Sequence, residues 1–375
     1  LLQLTGAPGQ VTVSLAAIVA SVSLMVSMAI MVGSFRHSVD AWLDRILPAD
    51  LYFRAAPGGD TAYLAPDFQS RVAAVPGVRR AEFLRETQLL LDPARPRVVL
   101  LARSVDRADP ARTLPLTATL PAIVEGGPPP VWVSEAAADL YGFALGAVIT
   151  LPLAERPVTS TVAGIWRDYA RQGGAIVIER ERYIALTGDR TATNAALWLQ
   201  PGVAAESVRD AIVRDLPGGE SLELALPGEI RAASLSVFDR TFAVTYALEL
   251  AAVAIGLVAL SSSFGALVLA RRREFGMLRH LGMTRRQIGW MLATEGATVS
   301  GIGLVAGFSL GWVISLILIQ VVNRQSFHWG MELSMPWQAL AALAAIVLVL
   351  ATGTAVTSGR QAMGDDAVRA VKEDW

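Results

Sequence analysis

Arg271–Ile288 reads RRREFGMLRHLGMTRRQI and joins two long apolar segments. Six arginines (Arg271, Arg272, Arg273, Arg279, Arg285 and Arg286) stand there against one acid, Glu274. Positive charge of that density between membrane spans holds a loop on the cytoplasmic side. Phe275, Leu278 and Leu281 recur at every third position, which predicts a short helix with one apolar stripe beside an arginine-rich face. Gly282 is placed to end that helix in a left-handed turn. Thr284 and Gln287 then form the two ends of a capping box that starts the next helix. The cluster can serve as a topological anchor alone, or as a docking element as well. The stripe, Glu274 and the stop and start signals favour the second role.

Composition supports a membrane setting. Of 375 residues, 53% are hydrophobic and 17% charged, and the apolar residues fall in blocks. The net charge of −1 means that nothing global suggests nucleic acid or another polyanionic partner. There is no cysteine, which excludes disulfides and thiolate metal sites. Lys372 is the sole lysine, and no glycine-rich loop precedes it. A P-loop needs a lysine after its glycine turn, so these residues do not hydrolyse ATP in that way.

Outward from the loop, the chain predicts four transmembrane helices with a mixed α/β extracytoplasmic domain inserted between the first and second. Residues 1–35 hold an N-terminal segment and the first span, Val11–Gly33. No basic residue precedes Arg36 and the chain starts at Leu1, as expected of the downstream part of a longer chain; a signal peptide fits the uncharged start poorly. Residues 36–240 are soluble in character, with acids and arginines interspersed. Strands are expected at 51–54, 81–91, 131–133, 148–153, 158–165, 175–178, 195–199 and 222–226, and helices at 67–74, 134–141 and 204–216. The proline-rich stretch 110–130 reads as a connection. The outline is a βαβ-type half, a β-rich insert at about 131–178, and a second βαβ-type half. Residues 241–357 hold three more spans, with 271–287 between the second and third, and 358–375 form a tail. Arginine bias puts 271–287 and the tail inside, and 36–240 with loop 323–335 outside.

Few constellations carry chemistry. Counting back from the span ends places Glu249 and Glu295 at membrane interfaces, where pairing with arginine or headgroups competes with a proton-relay role. Gly303, Gly307 and Gly311 form two consecutive G-x-x-x-G units, which allow another helix to approach closely within the subunit or across a dimer. His37, His280 and His328 lie in separate segments without metal-ligand spacing. No nucleophile elbow is present, so no catalytic residue and no metal ligand is assigned.

One span, a large outer domain and three spans, with Arg273-Glu-Phe-Gly-Met-Leu-Arg279 and Leu281-Gly282 after the second, resemble the MacB/FtsX-like permease family of ABC transporters. Glu295-Gly296 resembles that family's acid–glycine pair, and Gly164–Tyr169 (GIWRDY) is similar to a segment of its longer, duplicated members. The resemblance implies a permease subunit of the bacterial cytoplasmic membrane in contact with its lipids. It implies a separate ABC ATPase carrying the ATP and magnesium, and a second permease half or subunit. Arg272, Arg273, Glu274, Gly276, Met277, Leu278, Arg279, Leu281 and Gly282 would form the ATPase contact. The cargo would be a lipoprotein, lipid, peptide or drug-like molecule moved by mechanotransmission. A membrane-anchored sensor, such as a wall-hydrolase regulator, is the alternative.

Overall fold

The computed structural model describes residues 8–362, apart from 56–62, 107, 122–125, 155, 271–273, 275, 276, 279 and 280. The chain divides into two compact units. One comprises residues 1–35, 239–321 and 332–375, and the other 36–238 and 322–331.

Among its described residues the second unit has ten strands: β1 (Leu51–Ala55), β2 (Val78–Leu89), β3 (Val98–Arg103), β4 (Leu116–Thr119), β5 (Pro130–Ser134), β6 (Val148–Leu153), β7 (Arg156–Trp166), β8 (Ala175–Glu179), β9 (Asn194–Leu199) and β10 (Leu222–Ala225). Four short helices join them: α2 (Pro66–Ala73), α3 (Glu135–Tyr141), α4 (Arg180–Thr187) and α5 (Ala205–Asp215). The sheet runs β10-β1-β9-β2-β3-β8-β5-β7-β4, with β6 added on β7.

Its first four strands are all antiparallel neighbours. The units β1-α2-β2 and β9-α5-β10 are therefore split, each accepting a strand of the other between its own two. Everything from β3 to β8 is inserted between them. β2 carries the join: residues 78–84 pair with β9 and residues 85–89 pair with β3. The β9 sequence alternates in and out, and Leu197, Leu199 and Ala195 enter a core with Phe68, Val72, Val208 and Ile212 of α2 and α5. This is the period expected of a strand with one covered face.

The inserted lobe differs. β8 is buried up to its last residue, Glu179, and most of β3 is buried too, because cores lie on both faces: Val98, Leu100, Ile176 and Ile178 on one side, Leu101, Trp132, Trp166 and Val177 on the other. Strands covered twice read as continuous apolar runs without alternation. That accounts for β3, which has no counterpart among the expected strands. The stretch 110–130 also differs from a plain connection, since β4 lies inside it and pairs antiparallel with β7. α3 is fixed at both ends. The Ser134 hydroxyl accepts from Ala137 N–H at 3.1 Å, and Gly142 closes the helix at φ +70°.

Four long helices are seen among the described residues: α1 (Pro8–Ile46), α6 (Pro227–Ala270), α7 (Arg285–Ile317) and α9 (Trp337–Ala362). A π-helical turn, Leu318–Val322, follows α7 and leads into α8 (Asn323–Phe327). Among the described residues, three helices are long and apolar enough to cross a membrane, within Ile18–Ile46, Arg286–Phe327 and Trp337–Thr354. The expected second span lies in α6, where many side chains fall outside the described residues.

Within the first unit, α7 crosses α1 at its glycines. A Cβ added at Gly303, Gly307 or Gly311 would lie 2.6–2.8 Å from side chains of Ile18, Val22 and Val26. The glycine face is thus occupied inside the chain. At the other end of the first span, Ser34 Oγ donates to Ser334 O and accepts from Ser334 N–H, tying α1 to the segment before α9.

Candidate functional site

Glu274, Met277 and Leu278 are helical. The helix stops in a Schellman turn: Met283 N–H reaches Leu278 O at 3.0 Å, with Gly282 at φ +95°. Both bonds of the capping box are formed, from Gln287 N–H to Thr284 Oγ1 at 3.3 Å and from Thr284 N–H to Gln287 Oε1 at 2.8 Å. A stop at Gly282 and a start at Thr284, two residues apart, fix the direction of α7 relative to the loop.

The loop's apolar residues are sorted by this turn. Leu278 and Met283 pack onto Ile288 and Leu292 of α7, so Leu278 faces its own chain. Met277 and Leu281 are the outward apolar side chains, 64% and 82% exposed, with Glu274 exposed beside them. Phe275, Arg272, Arg273, Gly276 and Arg279 lie outside the described residues. Glu295 is half-buried on α7, while the Glu249 side chain is outside the described residues. Among the described residues no three His, Asp or Glu side chains gather as a metal site would require.

A second arrangement lies in the sheet-bearing unit, where the sequence offers only the GIWRDY similarity. Residues 167–171 follow β7 and collect contacts from three elements. From α1, the Trp42 indole N–H donates to Arg167 O at 3.0 Å, and its ring meets Tyr169 edge-on with centroids 5.6 Å apart. From the segment after α8, Trp329 meets the same Tyr169 at 4.5 Å, and Tyr169 O–H donates to Gly330 O at 3.0 Å. From α3, Glu135 accepts Gly330 N–H at 3.0 Å and pairs with Arg167 at 3.3 Å.

Asp168 anchors the turn itself. Its side chain is buried, accepting from Ala170 N–H at 3.0 Å and from Arg171 at 3.1 Å. Arg171 reaches Glu86 of β2 with its other nitrogen at 3.4 Å. Burial pushes the Asp168 carboxyl above its ordinary value, against the pull of Arg171 and Ala170 N–H. For Arg171 burial acts downward, but Asp168 and Glu86 outweigh it and raise the guanidinium further. The start of α6 joins α1 in the same unit, where Arg231 binds Asp40 at 2.6 Å and also Asp44. Sequence spacing gives no sign of that triad, because Arg231 is far from both acids along the chain.

Comparison with known proteins places these parts. Residues 247–367 match the family described as FtsX-like permease C-terminal. The chain is 27% identical over 364 residues to an uncharacterised ABC transporter permease protein of Mycobacterium tuberculosis. That match takes in 91% of this chain and 41% of the relative, so the chain spans less than half of the relative's length. Among solved structures, the periplasmic region of MacB from Actinobacillus actinomycetemcomitans aligns with a TM-score of 0.36 and 12% identity, over 51% of this chain and 94% of that one. The extracellular domain of the noncanonic ABC-type transporter YknZ from Gram-positive bacteria aligns with a TM-score of 0.32 and 12% identity, over 47% and 98%. The loop Glu274–Thr284 lies within the matched segment, so residues 247–367 are similar to the C-terminal part of FtsX-like permeases and the loop is part of that similarity.

Proposed function

We propose that this chain is the transmembrane subunit of an ABC transporter, converting ATP hydrolysis on a separate ATPase into motion of its outer domain. The observation that carries this reading is the loop after α6. It lies in the FtsX-like segment, is bounded by a Schellman turn and a capping box, and presents Met277, Leu281 and Glu274 outward. An exposed apolar pair on a short capped helix suits insertion into a groove on a partner. The chain has one lysine and no P-loop, so the nucleotide site would belong to another protein.

Four spans fit this reading, with α6 supplying the second and the arginine-rich loop and tail on the cytoplasmic side. Residues 36–240 would then lie outside the cytoplasmic membrane. α1 and α6 both continue from their apolar parts into the outer unit and are joined there by Arg231, Asp40 and Asp44. A helix pair cross-linked in this way moves as one lever. Nucleotide-driven closure of the ATPase would act on the loop, and the lever would carry that motion outward to release or export cargo. A second permease half would complete the assembly.

Reconstitution in nanodiscs with its ABC ATPase tests the reading. The expected result is an ATPase rate changed severalfold by this chain, together with a nucleotide-dependent change in the outer domain. An ATPase rate indifferent to the chain would overturn it.

A further inference from the structure

Residues 322–331 lie between α7 and α9, yet they belong to the outer unit. Their attachment there is made by the main chain as well as by side chains. Gly330 is held through both polar atoms of its backbone, N–H to Glu135 and C=O from Tyr169 O–H. Trp329 is buried, with its ring edge-on to Tyr169 and tilted against Phe327 at 5.4 Å. The segment is also braced internally: Asn323 is buried, and its amide donates to Trp329 O at 2.8 Å. His328 adopts a left-handed conformation at φ +60° and meets Asp139 of α3 with its ring nitrogen. A connecting loop between two membrane helices needs none of this to link them. Such loops are ordinarily free to follow the helices they join.

The boundary between the units falls within the π-helical turn Leu318–Val322. A π turn carries one residue more per turn than an α-helix and interrupts its hydrogen-bond ladder, which makes it a place where a helix bends.

We propose that residues 323–331 are a strap that fixes the third and fourth membrane helices to the outer domain and bears force during the transport cycle, with the π turn as its hinge. The inference rests on the permease reading above. Glu135 and Arg167 are positioning residues: Arg167 orients the Glu135 carboxylate, and the carboxylate holds Gly330. Trp42 and Trp329 both contact Tyr169, so the strap and the α1 lever converge on one turn of the outer domain. Displacement of α1 alone would strain the strap, and displacement of both together would move the domain as a body.

The test uses the full chain with its ATPase in nanodiscs, spin-labelled through bioorthogonal side chains at the exposed positions Leu145 and Leu310. The distance between the labels is compared in the nucleotide-free and vanadate-trapped states. For the unaltered chain a nucleotide-dependent shift is expected. Glu135→Ala combined with Trp329→Ala should reduce that shift to less than a third while ATPase co-purification stays unchanged. The chain has no cysteine, so Asp139→Cys with His328→Cys can be added to the released strap as a single oxidisable pair. Oxidation should restore the shift and reduction should abolish it again, a reversal that a misfolded domain would not show. A full shift in the released variant, or a released variant that oxidation does not rescue, overturns the strap. No shift in the unaltered chain overturns the permease reading, and the strap's role with it.

Discussion

Replacing Gly307 with alanine sets two effects of opposite sign against each other. In a helix interior, alanine is favoured over glycine by about 1 kcal/mol, because glycine loses more backbone freedom on ordering. At Gly307 the new methyl would lie 2.7 Å from Val22 Cβ, 2.8 Å from Val22 Cγ1 and 3.2 Å from Val19 O. Saturated carbons pack best at about 3.5–4.0 Å, so α1 and α7 would have to separate by roughly 1 Å over this crossing. Overpacking of that kind costs about 1–3 kcal/mol. Gly301, on the same helix, has no heavy atom within 4 Å of a built Cβ and is the internal control. Gly301→Ala is expected to stabilise by up to about 1 kcal/mol, and Gly307→Ala to be about 1–3 kcal/mol worse than that control. Equilibrium unfolding of the full chain in mixed micelles measures both. If the two alanine variants shift the midpoint equally, α7 does not pack on α1 through these glycines.

Two further predictions concern the sheet-bearing unit. Asp168→Asn should lower its stability by about 1–3 kcal/mol, since Ala170 N–H and Arg171 lose a charged acceptor while Glu86 still pairs with the guanidinium; near-UV circular dichroism on heating the full chain checks this, and an unchanged melting temperature would refute it. Asp189 should make stability depend on acid. Burial alone would raise its carboxyl, but hydrogen bonds from Thr191, then Arg85 and Tyr183, bring it below its ordinary value. A carboxyl lower in the folded than in the unfolded chain adds stability that is complete above the unfolded value of about 4 and disappears as pH falls through the folded value. The destabilisation caused by Asp189→Asn should therefore be full at pH 6 and shrink below pH 4, and a pH-independent difference would contradict it.

How much the sequence disclosed depends on how local each signal is. The cap at Ser134, the left-handed Gly142, the box at Thr284 and the period of β6 and β9 are local, and all are readable from neighbouring residues. The helices and strands on either side of the insert carry local signals, but the inserted strands begin at β3, at residue 98, rather than near residue 131. The interleaving was not legible, because pairing of β1 with β9 and β10 depends on partners far along the chain. β3 escaped detection since VVLL has no alternation, and its two covered faces are a property of the finished sheet. The apolar stripe at 275, 278 and 281 predicted one face. The turn at Gly282 folds Leu278 back onto Ile288 instead, and Met277 joins Leu281 on the outside. Spacing alone cannot foresee which side of a short helix its successor covers. The strap is invisible in the sequence for a similar reason: Glu135, Tyr169 and Gly330 meet only after the sheet-bearing unit has formed.

The central claim is that an outside energy source acts on the chain through the outward face of the loop after α6. Leu281→Asp puts a charge on the most exposed of its apolar side chains without touching the Leu278–Ile288 contact, and Leu278→Met serves as the matched inward change. The measurement is co-purification of the ABC ATPase with the full chain from membranes, quantified per permease. The account predicts a more than tenfold loss of ATPase with Leu281→Asp and near-normal recovery with Leu278→Met. Undiminished recovery of the ATPase with Leu281→Asp would contradict it.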